Sequence, residues 1–229
     1  MSSAMMSDFR SIGIFAALSD RVLERIVKES YCQTFPAEVT LFWQGKTVDF
    51  VHGVVSGFVE LSAYHNSNHY TMLIAGPGSV TPMHSFVGDS ACMCTARTVN
   101  KSRITMTPVH VVRELLANEP DFARAVLHET VRMNRTLVRE LHNRNLRKSH
   151  ERLAHWIYEQ VSQGPDSQDV ELAFHKRLLA SSLGMSLATL ARDIEVLEPY
   201  GVSFEGKKIH VRSVRELAEV AHPSPHFVV

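Results

Sequence analysis

The chain has 229 residues, 45% of them hydrophobic, and its 24 lysines and arginines balance 24 aspartates and glutamates. That length and apolar content suit two modest globular cores, and a zero net charge means that attraction for a polyanion must come from local patches. No long uncharged apolar run and no charged-then-apolar leader pattern occurs, so neither a membrane span nor export is expected, and the expected compartment is the cytoplasm. Cys32, Cys92 and Cys94 are an odd set without disulfide-framework spacing, which fits a reducing compartment.

In chain order, a first helix is expected near residues 7–12 and a second over Asp20–Glu29, capped by Ser19 and carrying Val22, Leu23, Ile26 and Val27. The period then changes. Short β-type runs at 31–35, 39–43, 50–55, 58–64, 70–75 and 102–106 are punctuated by Gly45, Gly53, Gly57, Gly76, Gly78 and Gly88, which predicts an antiparallel barrel or sandwich able to hold a ligand. A short helix over Val109–Asn118 leads into a long one from Glu119-Pro120-Asp121 to about Arg147. The long helix has two apolar rows, Phe122, Val126, Met133 and Leu137 beside Leu127, Val131, Val138 and Leu141, more width than one barrel covers. The surplus predicts a parallel two-fold dimer seam, with Asn134 in the second row available to fix register.

A hinge at Lys148-Ser149-His150 precedes a helix over 151–162 whose Leu153, Ile157 and Val161 face inward. Phe174, Leu178, Leu179 and Leu183 then have helical spacing, Gly184-Met185 makes a turn, and Ser186 caps a second helix ended by Pro199. Leu190, Ile194 and Leu197 form its expected buried stripe, leaving Leu187, Ala188, Thr189 and Arg192 open. Two strands around Glu205-Gly206 put Lys207 and Lys208 where a wing meets phosphates, and between Leu172 and Arg192 the cations Lys176, Arg177 and Arg192 occur with no acid. This is the pattern of a winged helix-turn-helix, so DNA binding is expected through Lys176, Arg177, Ser186, Leu187, Ala188, Thr189, Arg192, Lys207 and Lys208. Seven basic residues between Arg132 and Arg152, against Glu140 and Glu151, add a second basic stretch. The fold class is α+β, with domains at 1–118 (β-roll), 119–148 (dimer helix and hinge) and 149–229 (reading head). His65 and His69 and the other scattered histidines show no nucleophile–base pairing, so no enzyme is expected. The rival reading is a ligand-binding or protein-interaction module whose winged helix no longer reads DNA.

The order helix, glycine-punctuated β-roll, long helix and winged helix-turn-helix resembles the Crp/Fnr family of bacterial transcription regulators across nearly the whole chain. Leu41-Phe-Trp-Gln-Gly-Lys resembles a family turn, Val54-Val-Ser-Gly-Phe-Val-Glu-Leu a family strand pair, and Ala75-Gly-Pro-Gly the turn into its pocket segment. The resemblance implies a homodimer that binds palindromic promoter DNA, works with RNA polymerase, and is controlled by an effector in the β-roll. It also implies an effector pocket at Thr81, Pro82, Met83, His84, Ser85, Cys92, Met93, Met133, Leu137 and Val138.

Departures from the family bear on that effector. Where cAMP-responsive members place a carboxylate for the ribose and an arginine for the phosphate, this chain has Thr81-Pro82-Met83 and Cys92-Met93, so cAMP is not expected unless Arg97 or a second subunit substitutes. Three cysteines, none before Cys32, are too few for the iron–sulfur cluster of oxygen-sensing members. Gly78-Ser-Val-Thr-Pro-Met-His-Ser resembles the haem segment of the CooA-type, carbon-monoxide-sensing branch, which implies His84 as a haem iron ligand, with Pro82 in place of that branch's cysteine. Cys92-Met-Cys94, expected on a strand with both thiols on one face, is an alternative thiol or soft-metal sensor, the latter with His84. An apolar small molecule, or a roll without a ligand, completes the alternatives. In the reading helix only Thr189 and Arg192 keep the family's Arg-Glu-Thr-x-x-Arg pattern, so a different operator is expected.

Overall fold

The computed structural model describes residues 3–16, 18–66, 68–82, 91–162, 165 and 168–223, without the side chain of residue 68. The chain divides into two compact units, Met1–Met133 and Asn134–Val229. Among the described residues no helix is long and apolar enough to cross a membrane.

The first unit opens on α1 (Ser3–Arg10) and the one-turn α2 (Gly13–Ala16), rather than the single helix expected over 7–12. The break comes at Ser11-Ile12, where the Ile12 amide turns back to Phe9 O at 3.0 Å and lets Phe9, Ile12, Ile14 and Phe15 all point into the core. Helix α3 (Asp20–Glu29) starts as expected, with Ser19 Oγ accepting from the Val22 amide, and buries Leu23, Ile26 and Val27.

Eight strands follow: β1 (Tyr31–Phe35), β2 (Thr40–Phe42), β3 (Phe50–Ser56), β4 (Val59–His65), β5 (Asn68–Ala75), β6 (Val80–Thr81), β7 (Thr95–Thr98) and β8 (Ser102–Pro108). They form two four-stranded antiparallel sheets, ordered β1-β8-β3-β6 and β2-β7-β4-β5. Strands β6 and β7 lacked a sequence signal because both are very short and β7 is Thr-Ala-Arg-Thr, with no large apolar residue. Alternation along β3 sorts the two cores. Val51 faces the helical cluster of α1 to α3, where Gly53 lets Ile12 and Thr105 approach so closely that a Cβ would meet Thr105 Oγ1 at 2.5 Å. Val54 faces the roll interior, built from Phe42, Val59, Leu61, Ala75, Cys92, Cys94, Ala96 and Ile104. The β3–β4 turn requires glycine: Gly57 has φ +84°, and a Cβ there would lie 2.3 Å from Ser102 Oγ.

Helix α4 (Val109–Asn118) closes the helical cluster with Val111, Val112 and Leu115, and the long α5 (Pro120–Leu146) begins against it, its Phe122 ring stacked on Phe15 at 5.8 Å. The unit boundary falls inside α5.

The second unit contains the rest of α5, then α6 (Ser149–Val161), β9 (Gln168–Glu171), α7 (Lys176–Ser182), α8 (Leu187–Leu197), a 3-10 turn at Glu198–Tyr200, β10 (Val202–Glu205), β11 (Lys208–Val211) and α9 (Val214–Ala221). The expected hinge is compact: Glu151 accepts from the Lys148 amide at 2.8 Å and α6 starts immediately at Ser149. Strand β9 and helix α9 are additions to the sequence reading. Gln-Asp-Val-Glu carries one apolar residue and becomes a strand only by pairing with β11, in a three-stranded sheet ordered β10-β11-β9. The loop expected after α6 lies largely outside the described residues, as does most of the tail expected to be disordered.

Candidate functional site

The segment around α7 and α8 is assembled by local turn chemistry. His175 Nδ1 accepts from the Leu178 amide at 3.1 Å and starts α7. At its far end the Met185 amide returns to Ala180 O at 2.9 Å and the Gly184 amide to Ser181 O at 3.0 Å, a Schellman closure that needs the left-handed φ of +65° at Gly184. Ser186 then caps α8, its Oγ 3.0 Å from the Thr189 amide and 2.8 Å from Thr189 Oγ1. The Ser186 and Thr189 hydroxyls are thus engaged with each other.

Helix α8 buries Leu190 and Leu197 as expected, but Asp193 takes the third inward position and Ile194 stays half-buried. The inward azimuth follows 190, 193 and 197, and Ile194 falls at its edge. Among the described residues Asp193 Oδ2 has no hydrogen bond, and the charge of Asp193 acts on the Arg152 guanidinium of α6. Leu187, Ala188 and Arg192 are exposed and Thr189 is half-exposed. In the wing, β10 and β11 pair from Val202↔Val211 to Glu205↔Lys208 around Gly206 at φ +60°, so Lys207 and Lys208 project at the hairpin tip. Arg177 is exposed, whereas Lys176 is half-buried with its ammonium 5.2 Å from the centre of the Phe204 ring.

The second basic stretch has a different task. Arg152 Nε donates to Leu183 O at 2.8 Å and its Nη1 to Arg147 O at 2.8 Å; Arg144 Nη2 donates to Ser182 O at 3.1 Å. Arg147 donates to Ala221 O and His222 O, and Arg139 pairs with Glu159 at 3.1 Å. The guanidiniums of Arg144, Arg147 and Arg152 satisfy carbonyls at the ends of α5, α7 and α9, groups a helix C-terminus leaves without partners. Arg132 pairs with Glu129 on its own helix. Charge counting cannot distinguish such arginines from phosphate ligands, because the carbonyls they serve are far away in sequence.

In the first unit Thr81, Pro82 and Cys92 are buried, and Cys94 with them, while Met93 is 69% exposed and points outward. The Cys-x-Cys segment is a turn before β7, not a strand: the Cys92 amide bonds Lys46 O, and Gly45, at φ +77°, donates to Cys92 O, both at 2.8 Å. Burial pushes the Cys94 thiol up to about 11, with the neighbouring Cys92 adding to the effect. Met83, His84 and Ser85 lie outside the described residues. Met133 packs against the helical cluster rather than the roll interior, and Leu137 and Val138 are about half exposed.

Arg97 does not face the roll interior. Across the β4–β7 pairing it stands opposite Glu60, on the face away from Leu61 and Ala96, and it pairs with Glu38 at 2.6 Å and Glu60 at 3.4 Å. One interior residue escaped the sequence reading: His52. It sits two positions from Val54 on the same side of β3, against the Phe42 ring at 5.7 Å and in register with Thr81, and among the described residues its Nδ1 has no hydrogen-bond partner. Burial lowers its pKa to about 4, so the imidazole is neutral. The only sequence signal was a polar residue at an inward position of an alternating strand. Among the described residues no group of three or more His, Cys, Asp or Glu side chains is placed to hold a metal ion.

On α5, Leu127, Val131, Val138 and Leu141 are 46% to 62% exposed, and Asn134 is exposed between them. The steps of four, three, four and three residues make one heptad stripe.

Residues 32–119 match the cyclic nucleotide-binding domain family. No curated protein matches the sequence significantly. Among solved structures, FixK2 from Bradyrhizobium japonicum is similar with a TM-score of 0.75 at 17% identity, covering 85% of this chain and 98% of that one. A CooA variant from Carboxydothermus hydrogenoformans gives 0.72 at 16%, covering 90% and 91% respectively. A protein from Eubacterium rectale assigned to the Crp/Fnr family of transcriptional regulators gives 0.70 at 11%, covering 93% and 100%. Residues 32–119 are therefore similar to a cyclic nucleotide-binding domain, and the chain has the fold seen in the Crp/Fnr regulators.

Proposed function

We propose that the protein is a homodimeric, cytoplasmic transcription regulator of the Crp/Fnr type, without catalytic activity, that binds palindromic promoter DNA under control of an effector in its β-roll. The observation that carries the reading is the Ser186-capped helix α8, which exposes Leu187, Ala188 and Arg192 beside Arg177 and the wing lysines Lys207 and Lys208. A helix so presented fits a major groove, where Arg192 can bond guanine in bidentate fashion and the small apolar residues can meet thymine methyls. RNA polymerase is the further partner expected of such a regulator. Gel shifts with the full-length protein test the reading. Arg192→Ala is expected to cost roughly tenfold or more on the preferred site with little effect on random DNA, whereas Lys208→Ala weakens binding to every sequence and lowers the salt dependence. A wild-type protein that binds no promoter at low salt favours the module that has lost DNA reading.

The effector proposed is not cAMP. The interior cluster is apolar, Arg97 is tied to two carboxylates on the other face, and burying a phosphate there without a cation would cost several kcal/mol. Occupation by some ligand is supported by His52, whose buried Nδ1 has no partner among the described residues. The alternative effector is haem, held through His84. The check is the visible spectrum of the purified protein: a Soret band that shifts with carbon monoxide and vanishes in His84→Ala establishes haem, and a protein still colourless after haem addition removes it.

A further inference from the structure

The open face of α8 contains one more ionised group than the sequence pattern singles out. Leu190, Asp193 and Leu197 define the buried side of the helix, and the residues diametrically opposite are Ala188 and Glu195, seven positions apart on one line. Ala191 and Arg192 flank that line, and all four are exposed. Glu195 has no ion-pair partner among the described residues, and neither does Arg192. The face is thus electrically balanced and otherwise small and apolar, while the cations able to hold phosphates, Arg177, Lys207 and Lys208, stand outside it. A carboxylate at the centre of a groove-facing surface is repelled by the phosphates and loses hydration there, so it is compatible with binding only where a base supplies a donor. In the major groove cytosine N4 is the donor suited to a carboxylate.

We propose that Glu195 reads sequence: its carboxylate accepts from a cytosine amine at the base pair next to the one at which Arg192 contacts guanine. This rests on the DNA-reading function proposed above. Side chains one helical turn apart on a groove-bound helix address successive base pairs, as in zinc fingers. Residues 188, 192 and 195 are separated by four and three positions. Ala188 therefore meets a thymine methyl, Arg192 a guanine and Glu195 a cytosine at three successive pairs, one A·T pair followed by two G·C pairs in each half-site.

Selection from random duplex DNA with the full-length protein, read by sequencing, tests this. Wild type is expected to enrich a two-fold symmetric site with two adjacent fixed G·C pairs per half. Glu195→Ala should lose discrimination at one of these pairs by roughly tenfold or more and keep the other. Arg192→Ala should do the reverse. Glu195→Gln should move the preference at the Glu195 pair toward adenine, the base whose N6 and N7 fit an amide. Because Glu195 is exposed, the thermal midpoints of these variants should match wild type. If Glu195→Ala tightens binding to all sequences equally and leaves the enriched site unchanged, Glu195 is only a solvated charge and the proposal is overturned while DNA reading stands. If wild type enriches no site, both fall.

Discussion

His52 is buried against Phe42, and among the described residues its Nδ1 has no hydrogen-bond partner, so acidity acts on the first unit through this side chain. Its folded pKa, lowered by burial from 6.5 to about 4, lies below that of the unfolded chain, so the unfolded state binds the proton first. The stabilisation is fully present above about pH 6.5 and is lost as the pH falls toward 4. Between pH 7 and pH 5 the loss amounts to about 2 kcal/mol. Urea unfolding of wild type and His52→Leu at the two pH values is the check: the variant should lose less stability on acidification, and equal losses would contradict a buried neutral imidazole. In the second unit burial, with Arg147 and Arg139 adding repulsion, lowers His155 to about 4 as well, so His52→Leu should remove only part of the acid sensitivity. Asp8 is held below the usual carboxylate range by its hydrogen bond from Arg103, and its contribution disappears at lower pH still.

Among the elements, α5 shows most clearly how one sequence pattern serves two partners. Phe122 and Val126 are sealed in the first unit, whereas the side chains of the stripe from Leu127 to Leu141 are about half exposed. An exposed heptad row of Leu and Val fits the proposed seam for a second copy, and Asn134 in that row would select the parallel, in-register pairing at some cost in stability. Val138→Asp with Leu141→Asp should convert the dimer to monomers in sedimentation velocity while leaving helix content by circular dichroism near wild type. A wild-type protein sedimenting as a monomer at tens of micromolar would remove the seam. Asn134→Val should instead tighten self-association.

At the scale of the whole molecule, dimerisation and reading are one geometric statement. Two copies of α8 held by a common seam can enter successive major grooves only where the half-site centres are about one helical turn, or 10 base pairs, apart. Adding five base pairs between the half-sites turns one groove to the far side of the duplex. Affinity for the expanded operator should drop to that of a single half-site, and adding ten pairs should restore part of it. Equal affinity for all three spacings would mean that the heads bind independently.

The sequence determined what depends on near neighbours. Ser19 and Ser186 cap their helices, Gly184 and Gly206 take the left-handed turns that end α7 and form the wing, and the stripes at 153, 157, 161 and 190, 197 are buried, because capping, turn and periodicity signals act within a few residues. Only the tertiary structure decided which partner each ambiguous side chain takes. Strand β9 exists because β11 offers it a ladder, and Arg144, Arg147 and Arg152 serve the carbonyls of distant helix ends. Arg97 turns to Glu38 and Glu60, and Asp193 turns inward toward Arg152 while Glu195 is left outside. A charge or a short polar strand has no preference that its own neighbours can reveal; its place follows from groups that folding brings beside it.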